Sequence, residues 1–264
     1  MKWLRQRYQN LEIRKRFNCR MKYFIVFLFS LNLFAYDAFL KSSDLKNLLK
    51  SDTLVLLDVS SLSSYEKSHI IGAYHVPISE FTKSKDAEIA AFFSKKVATE
   101  MKNLGINSNS HVVIYSRTNN DDFLNALYLA FVFIQHGFEN VSLLDGGYLS
   151  WVFENYDKVS TTKSKPLQKG NFEAVYNPKF LVENSKTHDP LELLSVKEAG
   201  ALFFEDLTLK SNEELKEVFS TEIRLGDAKA ALYGVNSFAI YANWYILYKL
   251  FDLKNIKMDA ESLK

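Results

Sequence analysis

The residues best placed for chemistry lie in a polar stretch between two apolar segments. Residues 111–115 predict a buried strand, residues 124–134 predict an amphipathic helix, and residues 116–122 are all polar. A loop that leads from a strand into a helix presents backbone N–H groups and the positive end of the helix dipole, which together attract anions. A low-pKa side chain held there could act as a nucleophile. The loop residues are Ser116, Arg117, Thr118, Asn119, Asn120, Asp121 and Asp122.

The side chains of this loop argue against nucleophilic catalysis. A serine hydroxyl such as that of Ser116 ionises far too weakly to replace a thiolate, and the sequence shows no base beside it. We expect Asp121 and Asp122 to cap the first turn of the helix and to repel a bound anion. Arg117 carries a positive charge, which would attract an anion. It either binds an anion or pairs with Asp121 or Asp122.

The first 35 residues have the pattern of a secretory signal. They carry eight basic side chains and one acidic one, a charge of +7, which leaves −5 for residues 36–264 out of the overall +2. The apolar run 23–35 has 13 residues, whereas a membrane-spanning helix needs roughly 20. We expect cleavage after Ala35 and export, to the periplasm in a Gram-negative bacterium. The alternatives are an uncleaved amphipathic anchor and a true start at Met21.

The chain contains a single cysteine, Cys19, which precedes the apolar run. A mature chain that begins at residue 36 therefore has no thiol. This excludes disulfides, thiolate zinc sites and thiol catalysis in that form of the protein. The acidic body also argues against nucleic acid as a partner, and we expect no stable membrane span after signal cleavage.

Two histidines, His69 and His75, flank a Gly72-Ala73 turn. Two imidazoles could begin a metal site, but no cysteine or acidic ligand set accompanies them at a recognisable spacing. We therefore expect both to serve packing, and we expect no metal or other cofactor.

The order of elements predicts an α/β fold with two domains. Apolar runs at 52–60, 111–115 and 141–144 alternate with helical patterns, which is the βαβ pattern of a parallel sheet covered by helices. A polar linker and a second, weaker α/β pattern follow, and the parallel between the halves indicates an internal duplication. The predicted divisions are a leader (1–35), a first domain (36–156), a linker (157–171) and a second domain (172–264).

The second half contains several local signals. Residues 191–195, 228–233 and 255–258 predict strands, and Ser211-Asn-Glu-Glu214 is a capping box that opens a helix. Residues 238–251 predict an apolar helix. Its aromatic stripe is expected to form a core or domain-interface face, with an exposed partner-binding patch as the alternative. The stripe consists of Tyr241, Trp244, Tyr245 and Tyr248.

Three motifs in the first half resemble the tandem-domain rhodaneses, the thiosulfate and mercaptopyruvate sulfurtransferases. Residues 56–77 match the family pattern Asp-Val-Arg, Tyr, His-Ile-Pro-Gly-Ala and Pro, with Ser60 in place of the arginine and Ile71 in place of the first proline. Residues 104–115 supply a second match, and residues 136–151 resemble Gly-x-x-x-Val-x-x-Leu-Asp-Gly-Gly-x-x-x-Trp. The motif residues, which we expect to be structural, include Asp58, His69, Gly72, Ala73, Pro77, Asp145, Gly146, Gly147 and Trp151.

The second half resembles the family's C-terminal domain only faintly. Residues 198–201 resemble a remnant of the Pro-Gly-Ala turn, and residues 231–237 occupy the place of the active-site loop Cys-x-x-Gly-x-Thr. The resemblance implies an α/β fold with two rhodanese-like domains, each a parallel sheet flanked by helices, the second shortened and degenerate. The loop positions that it singles out are Ala231, Tyr233, Gly234 and Asn236.

The resemblance also implies a chemistry that this chain lacks the residues to perform. Family members carry sulfur on a loop cysteine, and the matching positions here are Ser116 and Ala231. We therefore expect an exported, non-catalytic rhodanese-like protein that binds or scaffolds an unknown protein partner. One alternative is a sulfurtransferase of the thiosulfate or mercaptopyruvate type, which the resemblance alone supports. The other is a sensor or carrier of a small anion.

Overall fold

The computed structural model describes residues 37–81, 87–117, 119–155, 158–162, 164, 168–182, 191–226 and 230–263. The predicted leader with Cys19 lies outside the described residues, as do Thr118 and parts of the predicted linker. Residues 36–264 form one compact unit. Within the described ranges, every helix is too short or too polar to cross a bilayer.

The first sheet is built from β1 (Phe39–Leu40), β2 (Leu54–Asp58), β4 (Tyr74–His75), β5 (His111–Tyr115) and β6 (Val141–Leu144). These strands are parallel and lie in the order β1-β6-β5-β2-β4. The three central strands are the predicted apolar runs, and they are buried along nearly their whole length. Continuous apolar strands are what a parallel sheet covered on both faces requires.

Helices cover both faces of this sheet. The outer face packs against α1 (Ser42–Leu48), α2 (Leu62–Lys67) and α5 (Gly147–Asn155), which contribute Leu45, Tyr65 and Trp151 to one apolar cluster. The inner face packs against α3 (Ala87–Asn103) and α4 (Asn120–Gln135), which belong to a second and larger cluster. Gly137, with φ of +87°, ends α4 as the sequence predicts.

The second half forms a smaller parallel sheet. Its strands are β8 (Leu181–Val182), β9 (Glu192–Ser195), β10 (Ala230–Tyr233) and β11 (Ile256–Asp259), in the order β8-β11-β10-β9. The accompanying helices are α6 (Ala199–Leu202), α7 (Asn212–Val218), α8 (Ser220–Leu225) and α9 (Ser237–Tyr245). The predicted capping box at Ser211 opens α7. The predicted fold class, two parallel sheets with helices and a reduced second half, is confirmed.

Three local expectations differ from the structure. Residues 198–201, interpreted as a turn remnant, instead lead into the short helix α6. The helix expected over 238–251 changes after Tyr245 into a π-helical turn, Ile246–Leu250. Part of the predicted linker is ordered, because β7 (Val159–Ser160) pairs antiparallel with β3 (His69–Ile70). Backbone pairing of this kind leaves no trace in composition.

The two halves meet through α4 and α9, which run parallel to each other. Phe131 of α4 contacts Tyr241 and Trp244 of α9, with ring centroids 5.5 and 5.1 Å apart. The hydroxyl of Tyr245 donates to the backbone oxygens of Ala38 (2.9 Å) and Val141 (3.2 Å) in the first sheet. All four residues of the aromatic stripe are buried. The aromatic stripe therefore lies at the interface of the two halves, as the first of its two interpretations predicted. The alternative, an exposed partner-binding patch, is wrong.

Removal of the Tyr245 hydroxyl tests this junction. We expect Tyr245→Phe to lower the free energy of unfolding by about 1–3 kcal/mol, because two buried carbonyl oxygens lose a donor. Tyr233→Phe is the matched control, since Tyr233 is half-exposed, and we expect it to change stability by less than about 0.5 kcal/mol. Urea denaturation of residues 36–264 measures both. Equal stabilities of the two variants would contradict the role of Tyr245.

Two buried histidines should make the fold sensitive to acid. Burial, with a smaller contribution from Lys249, lowers the pKa of His111 to about 4, and burial also lowers the pKa of His136. Because the unfolded chain binds these protons near pH 6.5, the stability that the neutral histidines provide is present above that pH and falls as the pH drops towards 4. We expect His111→Gln to flatten this decline in urea unfolding measured between those pH values. If the free energy of unfolding of this variant falls with pH as steeply as that of the unsubstituted protein, His111 does not cause the decline.

Candidate functional site

The polar loop predicted from the sequence follows β5 at the carboxyl edge of the first sheet. β2 has β4 on one side and β5 on the other, so the strand order reverses between β2 and β5. Open parallel sheets bind ligands outside the carboxyl ends of their strands at such a reversal. Asp58 ends β2 and Ser116 follows β5 at this position. The loop is therefore where the fold would place a ligand.

Ser116 is held rigidly and away from solvent. It is 3% exposed, and its hydroxyl donates to the backbone oxygen of Arg117 at 3.0 Å. Its own backbone oxygen accepts from the N–H of Tyr148 at 2.9 Å. A Cβ on Gly147 would lie 2.6 Å from that oxygen, so the glycine is required for the close approach. The hydroxyl thus faces a carbonyl oxygen rather than a base that could activate it.

The side chain of Arg117 fills the space beside Ser116. Its guanidinium donates to the backbone oxygens of Ser64 (2.9 Å) and Ser68. It also lies over the ring of Tyr148, 3.7 Å from the ring centroid. The hydroxyl of Tyr148 in turn hydrogen-bonds to that of Ser68. The Nη2 atom of the arginine is thereby bound to backbone oxygens, whereas its buried Nε has no hydrogen-bond partner among the described residues.

The acidic partner of Arg117 is Asp58. One carboxylate oxygen of Asp58 lies 3.9 Å from Nη2 of Arg117, and the Asp58 side chain is fully buried. The other oxygen accepts from the N–H (2.8 Å) and the hydroxyl (2.5 Å) of Ser60. Ser60 occupies the position where the family motif has arginine, so Arg117 supplies from the loop a positive charge that the motif would supply from the strand end. The expected pairing with Asp121 or Asp122 is replaced by this buried pair.

The neighbouring hydroxyl of Tyr115 belongs to the same group. It accepts from the backbone N–H of Ile70 at 3.1 Å. Burial, and after it the charge of Asp58, raises the pKa of Tyr115 well above its usual value. Tyr115 therefore stays protonated and is unsuited to act as a base or nucleophile near neutral pH.

The start of α4 is capped by an amide rather than by the predicted carboxylates. The side-chain oxygen of Asn119 accepts from the N–H of Asp122 at 2.7 Å. Asp121 and Asp122 lie in the first turn, where their charges complement the helix dipole. Asn120 begins the helix and is exposed, and Thr118 lies outside the described residues. A side chain of the protein thus occupies one of the backbone N–H groups of the helix start that could attract an anion.

The motif residues between β2 and β4 serve packing. His69 is fully buried, and its ring stacks on the ring of Tyr65. Its Nδ1 lies 2.7 Å from the backbone oxygen of Tyr65, and its Nε2 lies 3.1 Å from the backbone oxygen of Thr162. The ring of His75 lies 2.9 Å from the backbone oxygen of Ser60. The turn between the two histidines contains Gly72, with φ of +83°, and the buried Ala73. Pro77 follows β4. Both histidines thus contact main chain.

The Asp-Gly-Gly turn connects the two halves. The carboxylate of Asp145 accepts from the N–H of Leu209 at 2.7 Å, and burial, ahead of other causes, raises its pKa. A Cβ on Gly146 would lie 2.8 Å from a methyl group of Thr208. Trp151 of α5 is fully buried, and its indole N–H donates to the backbone oxygen of Lys158 at 3.3 Å. The Asp-Gly-Gly turn therefore packs against the loop of the second half that contains Thr208 and Leu209.

The second predicted loop is shorter than the family pattern requires. β10 runs through Tyr233, so Ala231 is a buried residue within the strand, in register with Leu193 and Lys257. Asn236 is already the N-cap of α9 and accepts from the N–H of Phe238 at 2.9 Å. Only residues 234 and 235 lie between strand and cap. The match at Gly234 therefore does not mark a six-residue loop, and position 231 does not face a ligand site.

Sequence reasoning missed the residues that hold Arg117. Tyr148 occupies a variable position of the Asp-Gly-Gly motif, and Ser64 and Ser68 contribute only backbone oxygens. No side-chain pattern encodes a carbonyl acceptor.

Two cavities of about 290 and 480 Å³ adjoin the Asp-Gly-Gly turn, and both are lined by residues other than those of the two loops. The pair Lys197–Glu222 (3.0 Å), with a buried carboxylate, was also not anticipated.

The parallel sheet of the first half, its strand reversal and the loop beside it define the class of this domain as rhodanese-like. Residues 41–154 match the family described as Rhodanese-like domain. The first half of the chain is therefore a rhodanese-like domain, and the resemblance to the tandem-domain rhodaneses is confirmed.

Curated relatives of this chain are named as sulfurtransferases. A putative thiosulfate sulfurtransferase of Caenorhabditis elegans is 31% identical over 140 residues, which are 53% of this chain and 40% of that protein. The 3-mercaptopyruvate sulfurtransferase of Rattus norvegicus is 30% identical over 159 residues, 56% of this chain and 50% of that protein. The chain thus spans about half the length of the curated relatives that it matches.

Solved structures extend the likeness of fold over both halves. SseA of Escherichia coli, a 3-mercaptopyruvate sulfotransferase with the rhodanese fold, has a TM-score of 0.61 at 18% identity and covers 85% of this chain and 98% of its own. An ergothioneine biosynthesis enzyme of Chlorobium limicola has a TM-score of 0.63 at 16% identity and covers 84% of this chain and 66% of its own. At these identities the likeness concerns the fold alone.

Substitution of Arg117 tests how the loop is held. We expect Arg117→Ala to lower the free energy of unfolding by about 3 kcal/mol, because the buried carboxylate of Asp58 loses its cation. The free energy of unfolding of Arg117→Lys should lie between those of the unsubstituted protein and of Arg117→Ala. An ammonium keeps the positive charge, but it lacks the planar, branched donor group that stacks on Tyr148. The control is Arg224→Ala on the exposed surface of α8, which should cost less than about 0.5 kcal/mol. Equal unfolding curves for the Arg117 and Arg224 variants would refute this role.

Proposed function

We propose that this protein is a non-catalytic rhodanese-like module that binds or scaffolds a protein partner. The observation that carries the proposal is the position of Arg117. Its guanidinium donates to two backbone oxygens, lies over the ring of Tyr148 and is 3.9 Å from the carboxylate of Asp58. An arginine that is engaged in this way is not available to bind the anionic sulfur donor that a rhodanese would bind at this loop.

The chemistry of sulfur transfer supports the same conclusion. The enzyme group that takes the sulfane sulfur from the donor, as a persulfide, must be a soft thiolate, and the only cysteine of the chain is Cys19. The loop positions are a buried serine at 116 and a strand alanine at 231. Neither can form a persulfide.

The two alternative functions have less support. Sulfurtransferase activity is the function named for the curated relatives, but the loops here lack its nucleophile. A small-anion sensor would need an available cation at the start of α4, and Arg117 is turned towards Asp58 instead. Nothing in the described site favours either alternative over a binding role.

Export and the domain division belong to the proposal. The basic leader and the apolar run 23–35 support secretion with cleavage after Ala35. Fractionation of cells that express the full chain, followed by mass determination of the product, measures both location and cleavage. The separate sheets support domains at 36–156 and 172–264.

A sulfurtransferase assay tests the absence of catalysis. Purified residues 36–264 are offered thiosulfate or mercaptopyruvate as donor and cyanide as acceptor, with a cysteine-bearing rhodanese as the positive control. We expect no turnover above the buffer blank. We also expect none from Ser116→Cys, because Arg117 stays engaged with the backbone oxygens of Ser64 and Ser68 and with Tyr148 and is not available to the anionic donor. Turnover by the unsubstituted protein would overturn the proposal.

A further inference from the structure

A mostly apolar groove of about 290 Å³ lies between α5 of the first half and the loop at residues 204–208 of the second half. The helix lines it with Leu149, Ser150, Phe153 and Glu154, and the loop lines it with Asp206 and Thr208. We refer to it as the α5 groove. It lies beside the Asp-Gly-Gly turn and is formed by residues other than those of the two loops that resemble the family's active-site loops.

The α5 groove exposes apolar side chains that the fold does not use. Phe153 is 90% exposed and Leu149 is 46% exposed, and the two lie four positions apart on the same side of the helix. Trp151 belongs to the apolar cluster beneath α5, whereas neither of these two residues does. Neighbouring exposed apolar residues mark interaction sites, and aromatic residues are enriched in protein interfaces. The volume is also below the roughly 300–1,000 Å³ of small-molecule pockets, which favours a protein segment as the occupant.

The charged side chains that line the α5 groove are both acidic. Glu154 and Asp206 are exposed at its rim. The carboxylate of Asp206 accepts from the backbone N–H (3.0 Å) and the hydroxyl (2.6 Å) of Thr208, and these bonds lower its pKa. Lys210 of the same segment lines the other cavity instead, and its ammonium donates to the backbone oxygen of Gly200 at 2.7 Å. The rim is therefore negatively charged near neutral pH.

We propose that the α5 groove binds a basic, amphipathic segment of a partner protein. The apolar side chains of that segment would pack on Leu149 and Phe153, and its lysine or arginine side chains would lie beside Glu154 and Asp206. The charge of −5 on residues 36–264 acts in the same direction, because it attracts a basic partner over a longer range. The inference rests on the proposed function, in which the protein binds a protein partner, and it names the surface and the partner's chemistry.

The acidic rim disfavours other occupants of the α5 groove. A twofold contact places one patch against its own copy. A second copy of this chain would therefore bring Glu154 and Asp206 of both molecules around one apolar contact, and like charges across an interface weaken it. Nucleic acid would be repelled for the same reason. A basic segment is the occupant that the charges and the exposed apolar side chains both suit.

Fluorescence anisotropy on residues 36–264 tests the proposal. The probe is a labelled peptide of about 18 residues, or five helical turns, with leucine on one face and lysine on the other. We expect saturable binding with a dissociation constant of roughly 10–100 µM that rises with salt, because the rim carboxylates are exposed. A matched peptide with glutamate in place of lysine should bind at least about tenfold more weakly.

Two variants and a control locate the binding site. Phe153→Ser should raise the dissociation constant at least about tenfold, because the groove loses its largest exposed apolar side chain. Glu154→Lys should raise it about fivefold, since the lysines of the probe then meet a like charge. The control is Val175→Ser, because Val175 is 70% exposed and its N–H donates to His136 at the C-terminal end of α4. Urea denaturation checks that all three variants, which change exposed residues, remain folded.

The outcomes separate this inference from the proposed function. No saturable binding of the lysine peptide, or equal binding by the unsubstituted protein and both groove variants, overturns the inference. Stronger binding of the glutamate peptide also overturns it. So does a dimer in sedimentation equilibrium that Phe153→Ser dissociates, because a second copy then occupies the groove. Turnover in the sulfurtransferase assay overturns the proposed function, and that assay is independent of the peptide.

Discussion

The parallel packing of α4 against α9 is the contact on which the rest of the structure depends. Each helix covers the inner face of its own sheet, and together they form the junction of the two halves. Phe123 and Phe238, near the two N-termini, have ring centroids 5.6 Å apart. Because the helices run in the same direction, the loops that precede them lie on the same side. The same order of strands in the two sheets therefore places the two loops that resemble the family's active-site loops on one side of the molecule.

At that side of the molecule, groups of the protein itself lie beside the buried charge and the helix start. A helix N-terminus beside a strand reversal attracts anions, and a buried carboxylate is costly unless it is paired. Arg117 lies 3.9 Å from the buried carboxylate of Asp58, and Asn119 accepts from the N–H of Asp122 in the first turn of α4. In the second half, β10 continues to Tyr233, and only residues 234 and 235 lie between it and the N-cap of α9.

Sequence reasoning recovered the framework because the framework is encoded locally. The apolar runs around Leu57, Ile114 and Leu143 are parallel strands, and the Asp-Gly-Gly and capping-box motifs form the turns and caps expected. The partner of Arg117 could not be found in this way, because Asp58 is 59 positions away in the chain. Two of its hydrogen-bond acceptors are backbone oxygens, which any residue supplies.

The second half shows a different limit. The glycine match at Gly234 suggested a loop that begins near residue 231, but Ala231 lies inside β10. A short apolar strand and a loop that follows it have no boundary in the sequence that period-two patterning can locate. Among the described residues, the second sheet has no counterpart of β4. The sequence predicted only that the second domain is shortened, because its resemblance to the family is too faint to assign single strands.

The proposed function requires that Arg117 and the capped start of α4 do not bind a sulfur-containing anion. Isothermal titration calorimetry with thiosulfate and sulfite on residues 36–264 measures this directly. We expect only the heat of dilution with either anion up to about 10 mM, which corresponds to binding weaker than roughly −3 kcal/mol. A saturable heat with either anion would show that the loop binds it, and would contradict this expectation.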